Sequence, residues 1–117
     1  IVTNPTHFAV ALSYAVGTDE APKVIAKGAD FMAQKIREKA EESGVVIFEQ
    51  PQLARALYFT TEINHDIPRA LFEAVAEVIA YVFKLNSFNK NGQSVKKPNL
   101  NIPSEMSFDE SGNKLNE

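Results

Sequence analysis

Cysteine is absent from this chain of 117 residues, which excludes disulfide bonds and thiolate metal sites. Histidine is scarce as well, and His7 and His65 lie in separate polar stretches, which disfavours a zinc site. No glycine-rich phosphate loop, nucleophile elbow or HExxH pattern occurs in the sequence. We therefore predict no metal and no cofactor, and the sequence disfavours an enzyme that turns over a separate substrate.

An excess of positive charge is also lacking. The formal net charge is -3, with 12 Lys and Arg against 15 Asp and Glu, whereas nucleic-acid-binding domains usually carry a basic stripe. The longest apolar run, Ala74 to Phe83, is interrupted by Glu77 and is shorter than the roughly 20 residues of a membrane-spanning helix. We therefore expect no nucleic-acid partner and no spanning helix in this segment.

What remains is the composition of one ordinary soluble domain, with 44% hydrophobic and 23% charged residues. The chain has no initiating Met and opens within a β-like stretch, Ile1 to Thr3. We therefore expect it to be a piece of a longer protein.

The most informative stretch is Asn4-Pro5-Thr6-His7, which separates two short apolar segments. Asn before Pro favours a turn, because the Asn side chain can bond its own backbone and Pro fixes φ. The apolar run from Phe8 to Tyr14 is typical of a buried strand. These features predict a β-hairpin with its corner at Asn4 to His7, and Thr6 favours a type I turn.

The bond between Asn4 and Pro5 also carries chemistry. The side-chain amide nitrogen of Asn4 can attack its own backbone carbonyl and close a succinimide ring, which expels Pro5 as a new amino terminus. The commoner deamidation is blocked, because a proline nitrogen inside a chain carries no hydrogen. His7 is a candidate for proton transfer in this reaction, because a histidine side chain ordinarily titrates near neutral pH. The equal alternative is that His7 has only a structural role at the turn.

Apolar spacing predicts the remaining elements. After a loop at Gly17 to Asp19 and the pair Ala21-Pro22, steps of three and four residues predict a helix from Lys23 to a stop at Ser43-Gly44. Its charged residues, Lys27 and Asp30 among them, are expected on a solvated face. A strand (Val45 to Glu49), a short helix (Gln52 to about Thr60) and a last helix (Pro68 to about Leu85) follow. The order strand, helix, strand implies a crossover and a parallel strand pair.

The last predicted helix carries two apolar stripes. The first has core spacing and consists of Leu71, Val75, Val78, Val82 and Leu85; the second consists of Phe72, Ala76, Ile79 and Phe83. A helix wedged between the sheet and another helix would explain both stripes. Alternatively, the second stripe stays open near the small Ala76, as a shallow docking site for an apolar peptide.

Composition divides the chain after this helix. From Asn86 onward Asn, Ser, Lys, Gly and Pro dominate without periodicity, which predicts a domain over residues 1–85 and a flexible tail over residues 86–117. The acidic stretch from Asp109 to Asn113 lacks the spacing of a calcium loop. Arg55 and Tyr58, on the short helix, are expected to be structural.

Four blocks of the sequence resemble the flagellar export-switch proteins of the FlhB type and their injectisome relatives of the YscU type. In chain order they are VTNPTHFAVALSY, APKVIAKGADFMAQKIREKA, QLARALY and IPRALFEAVAEVIAYVFKL, and together they cover residues 1 to about 85. The pair AKGAD and IREKA resembles flagellar members, with an injectisome member as the alternative.

The resemblance implies an α/β fold, a small mixed β-sheet surrounded by helices, in which the NPTH turn joins the first two strands. It implies a single-turnover autocleavage. Asn4 would be the cyclising nucleophile, Pro5 the leaving group, and Thr6 and His7 the supporting pair. The positions that match a family site for apolar recognition segments of early export substrates are Ala21, Pro22, Ala76 and Ile79.

The resemblance also implies a role in type III protein export at the cytoplasmic face of the bacterial inner membrane, in a parent protein anchored by preceding helices. Cleavage would accompany a switch from rod and hook substrates to filament proteins. The implied partners are export-gate membrane and cytoplasmic components, the hook-length ruler protein and exported rod and hook subunits. A non-cleaving peptide-docking module, in which NPTH is merely a turn, is the alternative; a hydrolytic enzyme would need a cleft with converging acid and base groups.

Overall fold

A computed structural model describes residues 2–4, 7–14, 20–88, 98–109 and 111–113. Within these residues the strands are β1 (Val2–Asn4), β2 (Phe8–Ser13), β3 (Lys23–Ala29) and β4 (Phe48–Glu49). The helices are α1 (Phe31–Glu42), α2 (Pro51–Thr60) and α3 (Phe72–Phe88), with short 3₁₀ turns at Arg69–Leu71 and Ser104–Met106. The chain thus has the predicted α/β fold.

The strands form one mixed sheet in the order β3-β2-β1-β4. β1 is antiparallel to β2, with Asn4 opposite Phe8, so the two strands make the predicted hairpin. β1 is also parallel to β4, with Val2 opposite Phe48. The sheet therefore contains a parallel pair, but β4 pairs with β1 and not with β2, the strand that the order strand, helix, strand had predicted. β1 therefore lies inside the sheet, with a hydrogen-bonded strand on each side.

Helices cover both faces of the sheet, as the burial of β2 indicates. Phe8 and Val10 belong to the main core, together with α2 and α3 residues such as Leu57 and Val75. Alternate strand residues point to opposite faces, and Ala9 is also fully buried, in a strand that α1 contacts as well. The run FAVAL is therefore apolar at successive positions because water reaches neither face.

The predicted helix from Lys23 is wrong over its first half. Residues Lys23–Ala29 form β3, and α1 begins only at Phe31. Ile25 and Met32, two apolar residues whose spacing favoured a buried helix face, are 50% and 54% exposed. β3 pairs along β2 from end to end; without it, backbone N–H and C=O groups of β2 would lack partners, so strand pairing overrides the helical spacing.

Gly28, near the end of β3, is closely packed against the start of α1. A Cβ atom added to Gly28 would lie 2.6 Å from the Met32 Cβ and 3.0 Å from the Met32 backbone carbon. Glycine is therefore needed where the chain leaves β3 and turns into α1.

We expect Gly28→Ala to lower the free energy of unfolding by about 1–3 kcal/mol, the usual cost of forcing extra atoms into a packed site. One of the clashing atoms belongs to the Met32 backbone, which cannot rotate aside as the end of a side chain would. Urea denaturation of the two proteins measures the difference. Equal stabilities would contradict the close approach of α1 to β3.

The two later helices follow their predictions closely. The side-chain oxygen of Gln50 accepts the backbone N–H of Gln52 at 3.1 Å, and Pro51 occupies the first position of α2; both features favour a helix start. Pro68 precedes the 3₁₀ turn, and α3 continues to Phe88, beyond the expected end at Leu85.

The two stripes of this last helix have different environments. Leu71 and Val75 of the core stripe are fully buried. In the second stripe, Phe72 and Phe83 are 41% and 46% exposed and Ala76 is exposed. A wedged helix is therefore the wrong explanation, and the second stripe forms open surface.

Part of the expected flexible tail packs onto the domain. Phe108 is 8% exposed and belongs to the main core, and its carbonyl oxygen accepts the Arg55 Nε–H at 2.7 Å. The prediction of a flexible tail therefore does not hold for residues 98–109, while residues 89–97, 110 and 114–117 lie outside the described residues. Periodicity could not reveal this docking, because the segment has little regular structure and contacts with α2 set the positions of its apolar residues.

Asp109 closes a turn in this C-terminal segment. Its Oδ1 accepts the backbone N–H groups of Ser111 and Asn113, both at 2.9 Å. These hydrogen bonds, that of Asn113 foremost, hold the pKa of the Asp109 carboxyl below its ordinary value, because they favour the charged form. The Asp109 carboxylate is thus hydrogen-bonded by the backbone of its own turn.

Candidate functional site

The predicted reactive bond starts at the end of β1. Asn4 is the last residue of this strand and pairs with Phe8, the first residue of β2. Pro5 and Thr6 lie outside the described residues, as does the predicted turn type. The structure thus places Asn4 and His7 at the two ends of one short loop between paired strands.

Both sides of this loop are anchored independently of each other. β1 is paired with β2 and with β4. On the other side, the ring of Phe8 is 5% exposed, and its centroid lies 4.6 Å from that of Tyr58 and 5.3 Å from that of Phe59. None of these contacts is made through the Asn4–Pro5 bond, so a break after Asn4 would remove none of them directly.

His7 lines a cavity of about 500 Å³, together with Phe8, Ala29, Asp30, Tyr58, Phe59 and Ser111. The His7 side chain is 42% exposed, and its Nδ1 lies 3.6 Å from Oδ1 of Asp30. The backbone N–H of Asp30 donates to the carbonyl oxygen of His7 at 2.8 Å. The Asp30 side chain is exposed, as predicted, but sequence reasoning missed that it lies beside His7, because only the pairing of β2 with β3 brings the two residues together.

Lys27 joins the sheet to α2 on the same side of the domain. Its Nζ donates to the carbonyl oxygens of Tyr58 and Thr61, both at 2.9 Å. These carbonyls lie at the C-terminal end of α2, where a positive charge is favourable. The predicted solvated position of Lys27 is therefore wrong; the half-buried ammonium group helps to hold the helix that supports Phe8.

A second candidate site is an apolar pocket of about 450 Å³ on the opposite end of β2. The four positions predicted for substrate binding, Ala21, Pro22, Ala76 and Ile79, all line it. The remaining lining residues are Tyr14, Glu20, Phe72, Ala80 and Phe83. Sequence reasoning found Phe72 and Phe83 through the second stripe but missed the others, since no pattern relates the end of β2 to α3. That a peptide binds in this pocket stays a prediction.

A smaller pocket of about 220 Å³ extends this apolar surface. It shares Tyr14, Ile79 and Phe83 with the larger pocket and adds Leu12, Val45, Val46, Val78 and Val82. Together the two pockets form a groove along α3, which we call the α3 groove. The groove and the His7 cavity have no lining residue in common, and β2 runs from one to the other.

Within the part of the chain that the structure describes, no helix is both long enough and apolar enough to cross a membrane.

Comparison with models of known protein families shows to which family this chain belongs. The model of the FlhB HrpN YscU SpaS family matches residues 1–82. The chain belongs to this family. The resemblance carried by the four sequence blocks is thereby confirmed.

The chain is similar to curated flagellar proteins. The flagellar biosynthetic protein FlhB of Salmonella typhimurium is 48% identical over 110 residues, which are 92% of this chain and 29% of that protein. The chain thus spans less than a third of the length of this relative. Flagellar biosynthesis and type III protein export are the processes to which these relatives belong.

Solved structures of the FlhB family share the fold. The cytoplasmic domain of FlhB from Shewanella putrefaciens matches with a TM-score of 0.83 and 45% identity, over 92% of this chain and 84% of that one. The C-terminal domain of EscU with an Asn-to-Ala mutation matches with a TM-score of 0.66 and 36% identity, over 69% of this chain and 81% of that one. The predicted mixed sheet surrounded by helices is confirmed.

Proposed function

We propose that this chain is a self-cleaving domain of a flagellar export protein, and that cleavage of its Asn4–Pro5 bond accompanies the switch of export from rod and hook proteins to filament proteins. The observation that carries the proposal is an Asn-Pro bond that begins at the end of β1, between two paired strands that are each held by other contacts. The higher identity to FlhB of Salmonella typhimurium than to EscU favours a flagellar over an injectisome member.

Cleavage by cyclisation needs no reactant beyond the chain itself. The side-chain nitrogen of Asn4 forms a bond to the Asn4 carbonyl carbon, and the bond from that carbon to the nitrogen of Pro5 breaks. One proton leaves the attacking nitrogen and one proton arrives on the Pro5 nitrogen, so the proton count balances. The products are a C-terminal succinimide, which water later opens, and a free secondary amine at Pro5.

Orientation is the main source of rate in this reaction, because an amide nitrogen is a weak nucleophile. Well-aligned intramolecular reactions gain effective molarities of about 10⁵ to 10⁸ M, which correspond to roughly 7 to 11 kcal/mol of barrier. Pairing of Asn4 with Phe8 and burial of the Phe8 ring hold the loop ends at fixed positions. Pro5 further restricts the backbone of Asn4 to extended angles.

The consequence of cleavage is a changed surface and not a released domain. β1 has hydrogen-bonded neighbours on both sides, so the piece that ends at Asn4 stays in the sheet after the bond breaks. The break changes the chain next to His7, which lines the cavity described above. We propose that proteins of the export apparatus recognise the surface changed by the break.

The α3 groove supports the second half of the proposal, the recognition of export substrates. It is apolar, open to solvent and lined by all four residues carried over from the family. Exposed aromatic side chains beside small ones such as Ala76 suit an apolar peptide segment. We propose that rod and hook subunits dock here, and that export-gate components and the hook-length ruler protein contact the same domain at the cytoplasmic face of the inner membrane.

Intact-mass measurement tests the cleavage. The chain is made by cell-free synthesis, kept at neutral pH, and sampled into acid at intervals for mass spectrometry under denaturing conditions. We expect a species that begins at Pro5 to replace the full chain with first-order kinetics independent of protein concentration. A chain that stays whole over days would contradict autocleavage and favour a docking module that needs only the α3 groove.

A further inference from the structure

Asp30 adopts a backbone conformation that suits glycine better than aspartate. Its φ is 50° and its ψ is -111°. Aspartate tolerates the left-handed helical region, where ψ is near +47°, but this ψ lies far from that region. Such a conformation costs about 1–3 kcal/mol and persists where the surrounding structure enforces it, often at functional sites.

Helix capping does not account for an aspartate at this position. Asp30 precedes α1, the place where an Asp side chain commonly accepts a hydrogen bond from the first turn. In the described structure its side chain makes no such bond. The side chain is 80% exposed, and its recorded ionic contact is with His7.

Two contacts join Asp30 to His7. The β2–β3 ladder includes the pair Phe8 and Ala29, and the next backbone hydrogen bond outward is the 2.8 Å bond from the Asp30 N–H to the His7 carbonyl. This bond fixes the backbone of His7. The Asp30 carboxylate lies 3.6 Å from His7 Nδ1, which is within ion-pair distance.

A carboxylate beside one imidazole nitrogen has a defined chemical effect. It accepts the Nδ1–H, which selects one tautomer and leaves Nε2 as the nitrogen that takes up a proton. The same relation between Asp and His orients the general base of serine proteases. Glycine would fit the backbone at position 30 better but could not supply this carboxylate.

We propose that Asp30 is the positioning residue for His7 in the cleavage of the Asn4–Pro5 bond. The carboxylate holds the Nδ1–H of His7, and Nε2 takes one proton from the attacking nitrogen of Asn4. As the bond to Pro5 breaks, Nε2 returns that proton to the Pro5 nitrogen, so His7 and Asp30 end unchanged. This inference rests on the autocleavage proposed above.

The test measures cleavage rate and stability separately in Asp30→Gly. Glycine adopts this backbone conformation without strain, so we expect the melting temperature to stay equal or rise. We expect the cleavage rate, followed by intact mass during cell-free synthesis, to fall about tenfold or more. This is part of the rate enhancement of about 10²- to 10⁴-fold that a positioned proton-transfer group contributes. Asp30→Asn, which keeps the size but not the charge, should also be slower than wild type.

Asn64→Gly is the matched control. Asn64 is the other described non-glycine residue with a positive φ, at 71°, and it lies in the loop after α2, away from His7. The same kind of substitution there should leave the cleavage rate unchanged. The His7→Ala background supplies the second control, because Asp30→Gly should have no further effect on the rate once His7 is gone.

The outcomes separate this inference from the proposed function. If the wild-type chain stays whole, both are overturned. If it cleaves and Asp30→Gly cleaves within about twofold of the same rate, autocleavage stands and the role of Asp30 is overturned. An equal slowing by Asp30→Gly with and without His7 would likewise overturn it, since Asp30 would then act independently of the imidazole.

Discussion

Asn4→Ala is expected to abolish cleavage. Alanine has no side-chain nitrogen, so the succinimide cannot form, and the chain loses the whole advantage of an intramolecular nucleophile, about 10⁵ M or more in effective concentration. Only background peptide hydrolysis remains, which is too slow to detect over days. Intact-mass measurement should therefore find the full chain in Asn4→Ala under conditions where the wild type is cut.

Two comparisons make this result specific. Asn4→Asp keeps the shape of the side chain but removes the amide nitrogen, and it should also remain whole at neutral pH. Thr3→Ala changes the preceding residue of β1 and leaves the Asn4–Pro5 bond intact, so it should still be cut. Persistent cutting after position 4 in Asn4→Ala would rule out the cyclisation mechanism.

Ala76→Asp is expected to weaken binding of an apolar peptide to the α3 groove by about 10- to 100-fold, because a bound peptide would cover an unpaired carboxylate. Ala76 is exposed, so the fold should lose only the difference in helix propensity, about 0.7 kcal/mol or less. Fluorescence anisotropy with a labelled synthetic peptide containing Phe and Leu side chains measures the affinity.

Gln52→Asp is the control for the added charge. Gln52 is exposed at the start of α2, where a negative charge is favourable, and it does not line the groove. Its affinity for the peptide should match that of the wild type. If Ala76→Asp and wild type bind the peptide equally well, substrate docking at the groove is dismissed, whereas the cleavage proposal is unaffected.

The elements that could be predicted are those whose local signals agree with their tertiary surroundings. α2 has Pro51 at its first position and a capping side chain at Gln50, and the short strand β2 is apolar from Phe8 to Leu12. Part of the α3 groove could also be predicted. The second apolar stripe of α3 is a local sequence pattern, but only the tertiary structure shows that its residues Phe72 and Phe83 are exposed.

The errors arose where distant contacts outweighed local spacing. Lys23–Ala29 has helical spacing, yet it forms a strand because the outer edge of β2 needs hydrogen-bond partners. The same error put Lys27 on a solvated face, and it hid that Asp30, which is exposed, lies beside His7. Phe108 was assigned to a flexible tail because a segment without periodicity gives no sign of docking, although its ring belongs to the core.

The reactive pair is what the amino-acid sequence determines by itself. Asn followed by Pro permits cyclisation and blocks deamidation in any fold, since both follow from covalent chemistry. Tertiary structure alone decides the rest: β1 lies between two strands, so cleavage need not dissolve the sheet, and Asp30 lies beside His7. Residues far apart in the chain become neighbours through strand pairing, and no local sequence pattern indicates which of them will be neighbours.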